Sequence, residues 1–366
     1  MVKILYIANI RLPTEKAHGI QIMKMCEALA KAGASVELVI PTRKNAIQDD
    51  PFSYYAVPAT FRIVRLPIIN LLAWGPLGYL VSLAWFLQSA RRHAERYPGA
   101  CVYTREPLAA LFIPDTTIEV HVRSSSRIAR YAIRKARNIV TITEGLKQAL
   151  VDDGVPEGKI TVLADAVDIG LFDTSLTKAE ARHQTRLPAE GKIALYAGSF
   201  SLYSWKGLDT FIAAARQHPE ILFVCVGGTA EEAARVGGRL SSNVRCIGKV
   251  SYAEVPRYLR AADVLVLPNK PGDTVSERYT SPLKLFEYLA SGTPMVASDL
   301  PSIREIVSEK EATLFIPGDS QALAQAIISV FADRESAAVR ASAGKEKMEK
   351  YTWDVRAARV LALLKN

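Results

Sequence analysis

Glu287 stands four residues after Leu283 and three after Lys284 in the stretch ERYTSPLKLFEYLASGTPMVASDLPSIREIV (277–307), a spacing that puts its carboxylate on one helix face, a turn below the helix start. Ser281 followed by Pro282 predicts that start, a side-chain oxygen acceptor and then a proline at the first helical position. Gly292 predicts the end. The first-turn amides of Leu283 and Lys284 then lack intrahelical acceptors and sit at the positive end of the helix dipole, so they form an anion site. A phosphate above and a hydroxyl-accepting carboxylate below can grip a nucleotide diphosphate and its ribose. A capped surface helix with a solvated glutamate fits the same residues.

Other residues invite the same question. The loop GSFSLYSWKGLD (198–209), starting at Gly198, follows a predicted strand and opens a helix. Lys206 is therefore expected at a strand's carboxyl end, where an ammonium can neutralise a leaving diphosphate. In IRLPTEKAHGIQIMKMCEALAKAG (10–33), Gly19 is expected in the loop before an amphipathic helix, where backbone can approach a ligand. His121 closes the predicted strand TIEVH (117–121), on the same side of the pleat as Glu119. VGG (226–228) and IGKV (247–250), the latter ending in Val250, are further strand-end loops. Each of these also suits a solvated lysine, a turn glycine or a structural histidine.

The chain carries 46 basic and 37 acidic residues, a net +9, and Arg123 to Arg137 holds six basic residues and no acid. Arg123, Arg127, Arg130, Arg134 and Arg137 are spaced 4, 3, 4, 3, which predicts one helix face, with Ile128, Tyr131, Ala132 and Ile139 opposite. Such a stripe suits an anionic membrane surface or a lipid-phosphate acceptor, and equally a solvated face. Nucleic acid is not an expected partner: no recognised motif accompanies the stripe and aromatics are not interleaved for stacking.

These residues need elements to hold them. Short β-branched runs alternate with helical segments: 3–8, 35–40, 61–66, 100–104, 117–121, 138–143 and 159–164, then 192–198, 221–228, 243–248, 263–268, 294–298 and 312–316. That alternation predicts parallel α/β units, and 366 residues suit two domains. The polar stretch 173–191 reads as a linker between domains at 1–172 and 192–351, with the final helix, about 352–366, returning to the first. Two doubly wound domains in tandem predict a ligand cleft between them. Cys26, Cys101, Cys225 and Cys246 sit singly in apolar stretches and read as core residues of a reducing compartment, with no metal-ligand set. MVKILYIANI reads as a first strand rather than a signal peptide. The uncharged segment Ile68 to Leu87, interrupted by Asn70, Gly75-Pro76 and Gly78, reads as a buried crossover helix or an apolar surface for a membrane or greasy acceptor, rather than a spanning helix.

Taken together, the glycine loop and helix, EVHVR (119–123), IVTITEGLKQALVDDGVPEGKITVLADAVDIGLF (139–172), the Lys206-Gly207 loop, VGG, AADVLVLP (261–268) and SPLKLFEYLASGTPMVASDLPSIREI (281–306) resemble the retaining glycosyltransferases of family 4, over nearly the whole chain. The resemblance implies the GT-B fold, two Rossmann-like domains with the active site in the interdomain cleft. It implies transfer of a hexose from a UDP- or GDP-sugar to a sugar, glycolipid or other hydroxyl acceptor in polysaccharide or glycolipid assembly. It further implies no cofactor or essential metal, and a cytoplasmic enzyme, peripheral at the inner face of the cell membrane if the basic stripe binds lipid.

Residue by residue, the resemblance implies Lys206 on the diphosphate and the amides of Leu283 and Lys284 on phosphate. Glu287 falls on the ribose, Gly19 on the phosphate-facing loop and His121 on the donor sugar, with Gly198, Val250 and Ser281 beside the nucleotide. Two positions depart from the family pattern. Tyr279 stands where the family commonly has a glutamate, eight positions before Glu287, and Phe200 stands where an arginine usually accompanies the lysine. Tyr279 and Glu277 are thus the expected sugar contacts beside His121, and Arg105 or Arg123 could restore the missing positive charge. A nucleotide-sugar epimerase of the same fold and an inactive nucleotide-sugar-binding protein are the alternatives.

Overall fold

The computed structural model describes residues 1–69, 71–200 and 204–365; Asn70, the Ser201 to Tyr203 part of the Lys206 loop and Asn366 lie outside the described residues. Two compact units divide the chain, Met1–Ala164 with Trp353–Asn366, and Asp165–Thr352. The first is built on a parallel sheet of β1 (Lys3–Ile7), β2 (Ser35–Pro41), β3 (Arg62–Leu66), β4 (Cys101–Thr104), β5 (Thr117–Val120), β6 (Asn138–Thr141) and β7 (Ile160–Val162), in the order β3-β2-β1-β4-β5-β6-β7. The second is built on β8 (Lys192–Ala197), β9 (Ile221–Val226), β10 (Val244–Gly248), β11 (Val264–Leu267), β12 (Met295–Ser298) and β13 (Thr313–Phe315), in the order β10-β9-β8-β11-β12-β13. Central strands such as KILYI and VLVL are nearly all apolar because helices cover both faces of a parallel sheet. Both units are doubly wound, and the molecule has the GT-B architecture.

The stretch 173–191 is not the linker its polarity suggested. It contains the helix Lys178–Thr185, opened by a capping box between Thr177 and Glu180. Arg182 on that helix is buried, donates to the carbonyls of Ala261, Ala189 and Gly191, and pairs with Asp263 at 2.8 Å. A buried guanidinium persists only with such acceptors, so these residues are fixed within the second unit and the boundary falls earlier, after Ala164. The helix Trp353–Lys365 belongs to the first unit, where Asp354 meets Lys31 at 2.5 Å.

The uncharged segment forms the helix Gly75–Ala94, and its two faces differ. Leu83, Phe86, Leu87 and Ala90 are buried beside β1 and β2 residues, whereas Leu77, Leu80, Val81 and Trp85 stay exposed, next to Trp74. A wholly buried crossover helix is therefore not what forms. Among the described residues, no helix is long and apolar enough to cross a membrane.

Candidate functional site

In the second unit the chain winds outward from β8 through β9 to β10, then returns past β8 to β11. The connections leaving β8 and β11 therefore diverge, which opens a crevice at their carboxyl ends, the place where doubly wound sheets take ligands. The loop after β8 brings Gly198 and Lys206; the segment after β11 leads to the helix Leu283–Ala290. Lys270 N–H donates to the Trp205 carbonyl at 2.7 Å, tying the two together. Gly207, at φ +72°, approaches β11 so closely that a Cβ would stand 1.7 Å from the Pro268 carbonyl oxygen, a position only glycine can fill. Lys206, held beside it, is largely enclosed, and burial lowers its pKa.

The helix starts one residue later than expected. Pro282 is its N-cap, and the Ser281 hydroxyl accepts from the Asp165 amide at 2.9 Å instead of capping. Leu283 and Lys284 still open the helix, and Gly292, at φ +65°, follows its end. Glu287 is buried and accepts from the Tyr252 hydroxyl at 3.1 Å. Burial raises its carboxyl to about 7, although the Tyr252 bond and the Lys284 charge pull the other way. The Lys284 ammonium lies 4.2 Å from the centre of the Tyr196 ring, under Gly198, where a Cβ would come within 2.8 Å of it.

The remaining expected contacts divide. Val250, half-buried, lies in the loop that delivers Tyr252 to Glu287. Tyr279 is buried at the end of the π-helical turn Val275–Tyr279. The Glu277 carboxylate is tied back to the Gly272 amide at 2.7 Å. Phe200 is a core residue, packed on Tyr196 and lying where a Cβ on Gly228 would strike its ring. Sequence reasoning missed Tyr252, Tyr196 and Asn269. The strand-end loop pointed near Tyr252, but nothing in spacing signals a bond to a residue 35 positions later. Asn269, at the end of β11, is buried with neither amide atom partnered among the described residues.

The first unit repeats the topology: the chain winds from β1 to β3 and returns past β1 to β4, and a pocket of about 180 Å³ opens at that switch point. Asn9, His18, Arg105 and Glu106 line it. Burial and the Arg105 charge lower His18 to about 4, and burial raises the Glu106 carboxyl. Arg105 also donates to the Gln21 side-chain oxygen. His121 directly follows β5, and its Nε2 lies 2.5 Å from Glu119 Oε1. Glu119 is buried and accepts in addition from Gln21 at 3.0 Å, from the Tyr103 hydroxyl, and from Arg356 at 3.2 Å. Burial opposes its charge, yet Arg356, the His121 bond and Arg105 hold the carboxyl well below its usual range. Burial and Arg105 together lower His121 to about 4 despite Glu119. The imidazole is therefore neutral at pH 7, donates Nε2–H to Glu119, and keeps Nδ1 as an acceptor.

Gly19 is not in a loop. It lies in the first turn of the helix Ala17–Lys31, where a Cβ would stand 2.1 Å from the Tyr55 hydroxyl, so its role there is close packing. The arginine stripe is also shorter than its spacing implied. The helix spans only Arg127–Lys135, which leaves Arg123 and Arg137 outside it. Arg123 and Arg130 pair with the Asp153 carboxylate at 2.7 and 3.5 Å, and Arg134 donates to the Asp153 carbonyl. Ile128 and Tyr131, expected on the inner face, are 64% and 48% exposed. Cys26 and Cys225 are buried and Cys101 and Cys246 half-buried, and Cys225 and Cys246 stand opposite each other across β9 and β10. Among the described residues, no three His, Cys, Asp or Glu side chains are placed to hold a metal ion.

Comparison with known proteins adds to this geometry. Residues 191–333 match the family described as glycosyl transferases group 1. A phosphatidyl-myo-inositol mannosyltransferase of Mycolicibacterium smegmatis is 24% identical, over 94% of this chain and 89% of its own. Its Mycobacterium leprae counterpart is 30% identical over 54% and 53%. The fold is similar to sucrose-phosphate synthase of Thermosynechococcus elongatus, with TM-score 0.78 and 22% identity, covering 100% of this chain and 98% of that one. It is also similar to Anabaena HepE in complex with UDP-glucose, with TM-score 0.77 and 17% identity over the whole of both chains.

Proposed function

We propose that the chain is a GT-B fold glycosyltransferase related to the bacterial family 4 enzymes, moving a sugar from a nucleotide diphosphate donor to an acceptor, and that its second unit takes the donor as follows. Lys206 and the amides of Leu283 and Lys284 hold the diphosphate, and Glu287 accepts from the ribose hydroxyls. The observation that carries this reading is Glu287, buried one turn beneath the helix N-terminus at the switch point, with the enclosed Lys284 ammonium beside it and Lys206 next to that ammonium in turn.

Transfer then proceeds on one face of the sugar with retention. As the C1–O bond breaks, negative charge grows on the departing diphosphate, and that oxygen takes the proton of the incoming acceptor hydroxyl. Lys206 and the helix N-terminus stabilise the growing charge, and His121 is assigned to orienting the donor sugar, its Nδ1 accepting a hydrogen bond from a sugar hydroxyl. His121 is tied to Glu119 and uncharged, which suits positioning better than the acid and base exchange an epimerase needs.

The acceptor side is assigned to the first unit. The pocket of Asn9, His18, Arg105 and Glu106 suits a polar hydroxylated headgroup, and because relatives are named for mannosyl transfer to phosphatidyl-myo-inositol, phosphatidylinositol and mannosyl donors are the first substrates to try. We assign membrane contact to the helix Gly75–Ala94 instead of the arginine stripe. Its exposed Trp74, Leu77, Val81 and Trp85 lead into Arg91 and Arg92, an apolar face with basic residues at one end, which suits an anionic bilayer. Incubation with UDP- and GDP-sugars tests the whole reading. Release of free nucleotide, rising when lipid acceptor is added, supports transfer; isomerised sugar would replace it with epimerisation, and binding without turnover with an inactive protein.

A further inference from the structure

The Lys284 side chain has no evident reason to be where it is. Cations are disfavoured in the first turn of a helix, because the dipole there is already positive. Lys284 nevertheless occupies that turn, and although the residue is part-exposed, its ammonium nitrogen is enclosed and finds no hydrogen-bond acceptor among the described residues. The face of Tyr196 and, more weakly, the Glu287 carboxyl favour its charge, while Lys206 adds a like charge nearby. Glu287, one turn below, is itself partly protonated at neutral pH. Burial and Lys206 accordingly push the Lys284 pKa far below that of an ordinary lysine. A buried donor left without a partner is costly, and folding does not require it: the Tyr196 ring already lies in a packed aromatic group with Phe200 and Phe211.

We infer that the Lys284 ammonium is a diphosphate ligand in its own right, closing beneath the Gly198 loop on phosphate oxygens whose other side faces Lys206. The inference rests on the donor site proposed above and extends it from the backbone amide of Lys284 to its side chain. The absence of a side chain at Gly198 keeps the space over the ammonium open. Phe200 buries into the core and offers no charge, so Lys284 supplies the second cation from the helix instead of from the β8 loop. The anion restores the proton that burial has made easy to lose. Binding of a nucleoside diphosphate is thus coupled to proton uptake from solution, with Lys206 and Glu287 as the other titrating neighbours and Tyr196 and Tyr252 as the phenols packed against them.

Calorimetry with UDP, GDP and their nucleosides, in two buffers of different ionisation enthalpy at pH 8, tests this on the full chain. The preferred diphosphate should bind with net proton uptake. Lys284→Met should weaken it by about 10- to 100-fold, as for loss of one charge-assisted hydrogen bond, remove most of the uptake, and leave the nucleoside unaffected. The variant should also melt at a higher temperature than the parent without ligand, since an enclosed amine with no hydrogen-bond acceptor among the described residues has gone, whereas a merely structural lysine would lower it. Glu287→Gln controls for proton release at the carboxyl, which opposes the uptake, and should retain the Lys284 share. Unchanged diphosphate affinity and uptake in Lys284→Met overturns the inference while leaving the donor site intact. If the parent binds neither UDP nor GDP, it is the donor-site assignment that fails.

Discussion

At Lys206 and Glu287 the same crevice makes two different demands. Lys206 answers charge that grows during bond breaking, so Lys206→Ala should lower turnover by roughly 100-fold or more, measured as nucleotide release. Glu287 makes its contact before and during transfer alike, so Glu287→Gln should weaken donor and free nucleotide together. Its raised pKa, about 7, gives that contact a pH signature. Below 7 the carboxyl is mostly protonated and loses acceptor capacity; above 7 it is ionised. In Lys284→Met, where the opposing uptake at the lysine is gone, nucleotide affinity should therefore strengthen from pH 6 to pH 8, and calorimetry should find this rise missing once Glu287→Gln is added. His121, lowered to about 4, should add no limb near pH 6.5 to a kcat/KM profile. Tyr279 makes a third demand. A phenol offers one hydrogen bond and no carboxylate, so Tyr279→Phe should alter turnover or donor preference across a panel of UDP- and GDP-sugars, with nucleotide affinity nearly constant. A variant that matches the parent across that panel would make Tyr279 a packing residue.

Among the elements, the helix Gly75–Ala94 shows most plainly how one sequence signal can carry two meanings. An uncharged run of this length reads equally as core or as surface, and the periodicity that separates them emerges only when Leu83, Phe86 and Leu87 turn inward and Leu77, Val81 and Trp85 outward. Replacing Trp74 and Trp85 together by Ser should reduce sedimentation with vesicles of phosphatidylglycerol and phosphatidylcholine and leave turnover on a soluble acceptor unchanged. Equal reduction of binding by neutralising Arg127 and Arg134 would return the role to the stripe. The arginine helix illustrates the opposite error. A 4, 3, 4, 3 spacing describes a face without saying what lies against it, and Asp153, at the end of the helix Glu144–Asp152, draws Arg123, Arg130 and Arg134 into ion pairs and hydrogen bonds.

Across the whole molecule, the two crossings of the chain between units leave their mark on stability. Arg356, on the last helix, donates to the Ala164 and Leu163 carbonyls and to Glu119, and so joins the chain end to the core of the first unit. Arg356→Met should cost about 3 kcal/mol in urea unfolding at pH 7, because it strands a buried carboxylate. The sign with pH follows from the depressed Glu119 pKa: its contribution is present above the ordinary carboxyl range and lost as pH falls through the folded value. The parent should thus lose more stability than the variant between pH 7 and pH 3, and equal losses would remove Glu119 from the account. What the sequence determined by itself was local and periodic. Every strand from β1 to β13 overlaps an expected run, and the Leu283 helix, Lys206 and Glu287 stood out because capping, strand-end and i, i+4 rules act over a few residues. Tertiary structure alone decided the partners. Glu119 gathers donors from Gln21, Tyr103, His121 and Arg356, Glu287 takes its bond from Tyr252, Ser281 turns from its helix to Asp165, and the Lys284 ammonium is left without an acceptor among the described residues. Burial sets the charge states at these sites, and burial depends on which distant segments the sheet order brings together, a quantity no short window of sequence contains.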